Sequence, residues 1–329
     1  MGTIATVSGT TTPEMLGKTL MHEHLCVGFP GYETHTNRPG PSEADRIAIC
    51  KDRIGELQDL GFSSLLDPCP SDLGRDVELM AKVAVETGFQ VICATGLYNE
   101  HNGATPYWKM QVAFGTGADA MAELFIHELT HGIGDTGIRA GIIKIATGPG
   151  AITDYERTVI EAAAKASLET GAPITTHTDQ GTMGDEQQRI FTSLGVPANR
   201  IIIGHSCGTD DHDYHMDIAR NGSYLGFDRF GLELIYPDEK RIQSLQRLLQ
   251  SGAGDRVVVS HDSVWCMRGE PFPERWSQSS PGLMDPTHFS KKVVPQLLEA
   301  GVSAAEVDTL LVDNPKRFFA GEKLPELPI

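Results

Sequence analysis

The chain has 329 residues, 40% of them hydrophobic and 22% charged, so it can bury a large core. A formal net charge of -17 argues against nucleic acid or an anionic membrane surface as a partner. The sequence shows no run of about 20 apolar residues, no signal-peptide pattern and no C-x-x-C pair, so we predict a cytoplasmic protein with reduced cysteines.

Short apolar runs alternate with amphipathic stretches along the whole chain. The predicted strands are 19–27, 63–69, 90–98, 140–147, 173–178, 200–206, 224–229 and 257–262. The predicted helices are 42–60, 76–87, 118–135, 154–170, 185–194, 211–221 and 238–250. Such a succession of strands and helices predicts one domain over residues 1–329, a (β/α)8 TIM barrel. A doubly wound open sheet is the alternative, but only a closed barrel makes the first and last strands neighbours.

Two long loops are predicted, 29–41 after the first strand and 265–288 after the last. Loops this long in compact domains are usually lids or binding walls, so we predict that 265–288 is an active-site loop. Its large apolar side chains either line a hydrophobic channel or pack the loop onto the barrel. They are Trp265, Met267, Phe272 and Trp276.

Side chains that can bind metal ions stand at the ends of the predicted strands. They are His22, His24, Lys144, His177, His205 and Asp262. His22 and His24 alternate along one strand, so both point to the same face, which in a barrel is the interior. This pair can hold one metal ion, with two structural core histidines as the alternative. His177 and His205 would hold a second ion.

Lys144 ends the apolar run Gly141-Ile-Ile-Lys144 and is predicted to point into the barrel. An unpaired ammonium is costly to bury, so burial favours the neutral amine. A neutral amine can capture carbon dioxide as a carbamate, whose two oxygens can each reach a metal ion. A lysine that extends to solvent or pairs with Asp262 is the alternative.

Imidazole and carboxylate ligands suit zinc, with manganese, cobalt or iron as alternatives. Two such ions about 3.5–4 Å apart lower the pKa of a shared water, so a metal-bridging hydroxide is the predicted nucleophile. Asp262 would reach the first metal and accept the proton of the attacking water.

Two other motifs suggest different chemistry. Gly204-His-Ser-Cys-Gly208 matches the nucleophile elbow G-x-S-x-G, with Ser206 as nucleophile and His288 as a later histidine. That hypothesis leaves four of the strand-end residues without a role. His127-Glu-Leu-Thr-His131 matches the zinc-protease motif H-E-x-x-H, but the stretch reads as an outer helix. His212 and His215, in the helix after the sixth strand, are predicted to lie on the surface.

Taken together, these residues resemble the phosphotriesterase family of the amidohydrolase superfamily, and most closely its phosphotriesterase-like lactonases. The resemblance covers essentially the whole chain. It rests on the segments Gly17–His24, Ala94–Tyr98, Gly141–Thr147, Gly171–His177, Ile203–His205, Asp228–Gly231, Ser260–Asp262 and Val312–Pro315.

The resemblance implies a ligand set for two divalent ions. His22, His24 and Asp262 would bind the more buried ion, His177 and His205 the exposed one, and carboxylated Lys144 would bridge them. Tyr98 and Arg229 would lie near the metals and shape the substrate pocket; packing at the rim, with Arg229 paired to Asp228, is their alternative role. The resemblance also implies a homodimer.

The segment Gly226-Phe-Asp-Arg-Phe-Gly231 follows the lactonase pattern, because phosphotriesterases proper carry histidines just after the seventh strand. The resemblance therefore implies hydrolysis of lactones, such as N-acyl-homoserine lactones, with weaker promiscuous phosphotriesterase activity. A true organophosphate phosphotriesterase or a carboxylesterase on the same metals is the alternative. A metal-containing binding protein without turnover is a more distant one.

Overall fold

The computed structural model describes residues 2–327. Its main sheet contains β1 (Lys18–Leu20), β2 (Phe62–Asp67), β3 (Gln90–Gly96), β4 (Ile142–Lys144), β5 (Ile174–Thr175), β6 (Ile201–Ile203), β7 (Tyr224–Phe227) and β8 (Val257–Val259). These eight strands are parallel and pair in chain order. Parallel pairing in chain order is the arrangement that alternating strands and helices favour.

The first and last strands close the sheet. The amide of Met21 donates to the carbonyl of Val259 at 3.3 Å, and Glu23–His24 pairs in parallel with Ser263–Val264 just beyond. The chain therefore folds as a (β/α)8 barrel, and the fold prediction is confirmed.

The outer layer is helical. Its helices are α1 (Glu43–Asp59), α2 (Val77–Thr87), α3 (Pro106–Ala113), α4 (Gly117–Thr130), α5 (Asp154–Thr170), α6 (Gly184–Ser193), α7 (His212–Arg220), α8 (Asp238–Gln250), α9 (Glu274–Ser279), α10 (Val294–Glu299), α11 (Ala304–Asp308) and α12 (Asn314–Ala320). The side chains of Ser42 and Thr153 cap α1 and α5 in capping boxes. None of the described helices is both long and apolar enough to cross a membrane.

Helix boundaries differ from the prediction at one place above all. The predicted helix 118–135 ends at Thr130, because Gly132, Gly134 and Gly137 all adopt positive φ angles and turn the chain towards β4. The short α3 was not predicted, and neither was the hairpin of Ile4–Thr6 with Gly9–Thr11.

Alternating side chains along the strands fill two different cores. Leu66, Ile92 and Ile142 belong to a cluster inside the barrel, whereas their neighbours Leu65 and Ile143 pack with the helices. Lys144 follows Ile142 by two residues and therefore points to the barrel interior.

The barrel strands are shorter than predicted. β5 ends at Thr175, β6 at Ile203 and β8 at Val259. His177, His205 and Asp262 consequently lie two or three residues beyond the hydrogen-bonded strands, whereas Lys144 is the last residue of β4.

Residues 265–288 pack along the rim instead of extending as one free loop. Trp265 is fully buried, and Met267 and Phe272 pack onto a small apolar cluster next to Tyr98. Arg268 anchors the segment by bonds to the phenol of Tyr32 and to the carboxylate of Asp76.

Candidate metal centre

The six predicted ligands meet at the carboxyl end of the barrel. Oδ1 of Asp262 lies 3.1 Å from Nε2 of His24 and 3.4 Å from Nε2 of His22. The ring of His205 stands between those of His22 and His177, with centroids 4.7 and 4.5 Å away. Residues from five strand ends thus come together, as predicted from the sequence.

Asp228 orients two of these histidines. Its Oδ2 accepts from Nδ1 of His22 at 3.0 Å, and its Oδ1 accepts from Nδ1 of His205 at 2.9 Å. With Nδ1 protonated, each ring presents the lone pair of Nε2 to the interior, which is the form that binds a metal ion.

A third histidine is oriented in the opposite way. Nε2 of His177 donates to Oδ1 of Asp179 at 2.9 Å, so its Nδ1 is the acceptor and lies 3.2 Å from the phenol oxygen of Tyr98. Burial lowers the pKa of His177 to about 4, so this ring is neutral near pH 7. Burial also lowers the pKa of His22 and His205.

His24 differs from the other three. Burial alone would lower its pKa, but the bonds to Asp262 and Asp67 outweigh burial and raise the pKa well above its ordinary value. For Asp262, burial works towards a higher pKa, and the surrounding histidines and Arg229 overcome it and lower the pKa well below normal. Asp262 is therefore an anion at the centre of the site.

Lys144 is only 1% exposed, so it does not extend to solvent. Its Nζ lies 3.2 Å from Nε2 of His22 and 3.4 Å from the carbonyl of Thr176, and no carboxylate oxygen within residues 2–327 comes within 4.0 Å of it. Burial lowers the pKa of this amine to about 8. A pairing with Asp262 is thereby excluded, and the neutral amine is readily populated.

Two of the predicted ligands have backbone conformations that residues other than glycine rarely adopt. His205 has φ of 58° and Asp262 has φ of 53°, both in the left-handed region. The amide of His205 donates to Asp228 at 2.9 Å, and that of Asp262 donates to the carbonyl of His22 at 3.0 Å. These bonds hold the strained turns, a feature common at functional sites.

Glu23 joins the segment that follows the first barrel strand to the segment that follows the last one. Its Oε1 accepts from Oγ of Ser260 at 2.7 Å, from the amide of His261 at 3.0 Å and from Nδ1 of His261 at 2.6 Å. Its Oε2 accepts from the hydroxyl of Ser263. The buried carboxylate thus fixes the segment that carries Asp262 against the segment that carries His22 and His24.

The residues present fit two divalent metal ions. Nε2 of His205 is buried and has no hydrogen-bond partner among the described residues, as expected of an atom that would bind a metal. Donor atoms of His22, His24 and Asp262 lie within 4.8 Å of one another. A further group of His24, Asp67 and Cys69 fits less well, because burial raises the pKa of the Cys69 thiol and keeps it protonated.

Arg229 lies beside the predicted ligands, as expected, but it pairs with Asp262 and not with Asp228. Its Nε donates to Oδ2 of Asp262 at 2.9 Å, and Asp228 is occupied by the two histidines. Asp228 itself was not predicted as a site residue. The signal was present, since Asp228 directly follows β7 just as the ligands follow their strands.

The serine hypothesis is wrong. Oγ of Ser206 donates to the carbonyl of Ile203 at 2.7 Å and is buried, so it faces back into the strand. His288 pairs with Asp238 at 2.7 Å instead. His215 was also mispredicted, because it is fully buried and its Nε2 donates to the carbonyl of Ser206 at 2.8 Å.

The zinc-protease hypothesis is wrong as well. Glu128, the acid of the motif, is buried and forms two bonds to Arg75 at 2.7 and 2.8 Å, whereas His127 and His131 are exposed on the opposite side of α4. A glutamate that points away from both histidines cannot serve as their general base.

Comparison with known proteins defines the family. The model of the phosphotriesterase family matches residues 2–319. A phosphotriesterase homology protein of Mycobacterium tuberculosis is 35% identical over 323 residues, which cover 97% of this chain and 98% of the relative. The organophosphorus hydrolase structure from Deinococcus radiodurans is 39% identical, with a TM-score of 0.93 and 96% of both chains covered.

A further solved structure concerns organophosphate hydrolysis engineered from a weak promiscuous lactonase template. It is 38% identical to this chain, with a TM-score of 0.93 and coverage of 97% of this chain and 100% of the other. The chain belongs to the phosphotriesterase family. It is accordingly a metal-dependent hydrolase that acts on ester bonds.

Proposed function

We propose that this enzyme hydrolyses lactones with a binuclear metal centre and acts more slowly on phosphotriesters. His22, His24 and Asp262 would hold one ion and His177 and His205 the other, with carboxylated Lys144 between them. The observation that carries the proposal is Lys144, an amine buried in the barrel interior with no carboxylate within 4.0 Å in the described chain. Carboxylation would give it the negative charge that two cations require.

Two divalent ions held there would polarise the ester carbonyl and make hydroxide available near neutral pH. The chain's own residues then have separate tasks. The carboxylate of Asp262, which would contact both the first ion and the attacking water, would accept the proton of that water. Arg229 keeps that carboxylate in place through its bond to Oδ2.

Tyr98 is suited to a role in binding the substrate. Burial raises the pKa of its phenol far above 10, so the group stays protonated and can donate a hydrogen bond. It stands beside His177 and could donate to the ring oxygen of a lactone as the ring opens. Here the alkoxide leaves within the same molecule, so no separate leaving group has to diffuse away.

The wall next to Tyr98 favours an apolar substrate chain. Val27, Leu73, Met267 and Phe272 pack there as one cluster, and Trp276 stacks on Phe272 at 5.8 Å while remaining 42% exposed. An acyl chain, as in N-acyl-homoserine lactones, would bury apolar area against this surface. The likeness to a structure derived from a lactonase template supports the same substrate class.

A true phosphotriesterase or a carboxylesterase on the same centre is the second candidate. It is favoured by the likeness to an organophosphorus hydrolase. The tetrahedral phosphorus of a phosphotriester occupies the position of the tetrahedral carbon formed from a lactone, so both reactions suit one site. Zinc as the metal, a cytoplasmic location and a homodimer remain predictions from the sequence.

The test combines metal analysis with two substrates. The purified enzyme is assayed on N-acyl-homoserine lactones of several chain lengths and on paraoxon, before and after chelation. About two ions per chain, with lactone turnover faster than paraoxon turnover and lost on chelation, is the expected result. Faster paraoxon turnover would favour the second candidate, and bound metal without turnover of either would support the binding-protein alternative.

A further inference from the structure

Two exposed histidines at the carboxyl end of α4, His127 in its last turn and His131 at its C-cap, form a pair that the catalytic site does not use. His127 and His131 are one turn apart, and their rings are stacked with centroids 5.0 Å apart and planes inclined by 6°. Two histidines four residues apart on a helix present their nitrogens to one side. A metal ion bound at 2.0–2.1 Å by both would need those nitrogens about 3 Å apart, so the two rings would turn from their stacked arrangement towards a common point.

Thr130 sets one of these rings in the metal-binding form. Its hydroxyl donates to the carbonyl of Ile126 at 2.6 Å, so the oxygen is left as an acceptor for Nδ1 of His131 at 2.9 Å. With the proton on Nδ1, Nε2 carries the lone pair that can bind a metal ion. This is the arrangement by which metal-binding histidines are held in protein sites.

The surroundings favour a cation. The pair lines a groove of about 400 Å³ between α4 and α5, together with the carboxylates of Asp119, Glu123 and Glu169. The lysine of the groove, Lys165, is neutralised by Asp119 at 2.8 Å. The two histidines themselves stand at the carboxyl-terminal turn of α4, and Glu169 stands in the last turn of α5, where the helix dipole stabilises positive charge.

We propose that His127 and His131 bind one divalent transition-metal ion of the kind that prefers imidazole, such as Zn²⁺, Ni²⁺ or Cu²⁺, with the carboxylates of the groove contributing through their charge. The site is separate from the catalytic centre. The two sites lie at opposite ends of the barrel strands. Glu128, next to His127 in the last turn of α4, accepts through its carbonyl from the amide of Ala140, which precedes β4. The proposed catalytic ligands lie instead where the strands end. A metal ion here would bind without taking part in hydrolysis.

The test counts ions on the enzyme with its catalytic metals in place. The holoenzyme is dialysed against graded Ni²⁺, and bound nickel is measured for the wild type and for His127→Ala/His131→Ala. The double variant is expected to bind one ion fewer per chain at saturation and to keep its esterase activity. His35→Ala, which removes an exposed histidine elsewhere, should bind as the wild type does.

Thr130→Val gives a second measure that keeps both histidines. Loss of the acceptor for Nδ1 is expected to weaken nickel binding about tenfold. Equal nickel stoichiometry in the wild type and the double variant would overturn the site. Unchanged affinity in Thr130→Val would overturn the role of the threonine in it.

Discussion

The guanidinium of Arg229 donates from Nε to Oδ2 of Asp262 at 2.9 Å, at the centre of the candidate site. The other oxygen, Oδ1, faces Nε2 of His24 and His22. The two oxygens of one carboxylate therefore have different surroundings, with a fixed cation on one side and the histidine ligands on the other. From this difference we expect Arg229 to support activity without binding metal itself.

Replacing Arg229 by glutamine should separate turnover from metal binding. We expect kcat/KM to fall about 10- to 100-fold, because a buried charge-assisted hydrogen bond is lost and Asp262 is less well held. The metal content should stay at its wild-type value. Arg275→Gln, an exposed arginine in the rim segment, is the matched control and should be neutral. Loss of metal together with activity would contradict this division of roles.

Lys144→Ala should lose both metal and activity. Under the proposed function, the variant removes the group that would bridge the two ions, and the histidines and Asp262 would supply too little negative charge. Short carboxylic acids or bicarbonate should partly restore turnover by filling the space with a bridging carboxylate. Metal analysis and lactone assays with and without acetate measure this. A variant with full activity would show that the lysine does not bridge.

Asp228→Asn should weaken metal binding while leaving every ligand in place. The carboxylate accepts from Nδ1 of both His22 and His205, and the amide offers only one acceptor for these two donors. Loss of such outer hydrogen bonds is expected to lower metal affinity about 10- to 100-fold. Competition with chelators of graded strength measures this, with the exposed Asp210→Asn as control. Equal affinity in both variants would refute it.

Asp72 should make stability depend on pH. Burial raises its pKa to about 7 although its oxygens accept from the amide of Tyr98 at 2.9 and 3.1 Å. The unfolded chain releases this proton near pH 4, so the folded state binds more protons between about pH 4 and 7 and loses stability as pH rises through that range.

The comparison variant is Asp72→Asn, which cannot ionise. Its stability relative to the wild type should increase between pH 5 and pH 8, on the order of 2–3 kcal/mol, as the wild-type carboxyl loses its proton. Melting temperatures of both proteins at the two pH values measure the change. An effect of the introduced amide on stability that is the same at both pH values cancels when the two pH values are compared. A difference that does not vary with pH would show that Asp72 is already ionised at pH 5.

Arg75→Met should destabilise the barrel without touching the metals. Arg75 forms two bonds to Glu128, which also accepts from Thr95, and both charged side chains are nearly inaccessible. Removing one partner leaves a buried charge without compensation, at a cost of about 3–5 kcal/mol. The partly exposed pair of Arg53 and Glu56 provides the control, since Arg53→Met should change the melting temperature little. Similar shifts for both would contradict the argument.

The ligands could be predicted from the sequence because the geometry of a barrel is simple. Side chains alternate between two faces and parallel strands end together, so Lys144 and the strand-end histidines had to meet in the interior. Their hydrogen-bond partners could not be derived in that way. The position of Asp228 directly after β7 marks it as a strand-end residue, but its contacts with two histidines, like that of Asp179 with His177, depend on the paths of the turns.

The errors have physical causes as well. Apolar runs predicted strands that continue to the ligands, but positive φ at His205 and Asp262 turns the chain out of the sheet earlier. These residues are not glycine, so their conformation is not visible in the sequence. His215 was placed on the surface because it is polar and lies in an outer helix, whereas a single carbonyl acceptor allows it to be buried.

The closure of the barrel by Glu23 has a consequence for biosynthesis. Glu23 and His261 are bonded at 2.6 Å although 238 residues separate them in the chain. A ribosome therefore exposes His22 and His24 long before Asp262 has been translated. The proposed centre can be completed only after Asp262 has emerged, late in synthesis. A product that terminates before β8 would have the first two proposed ligands without the residue that completes their site.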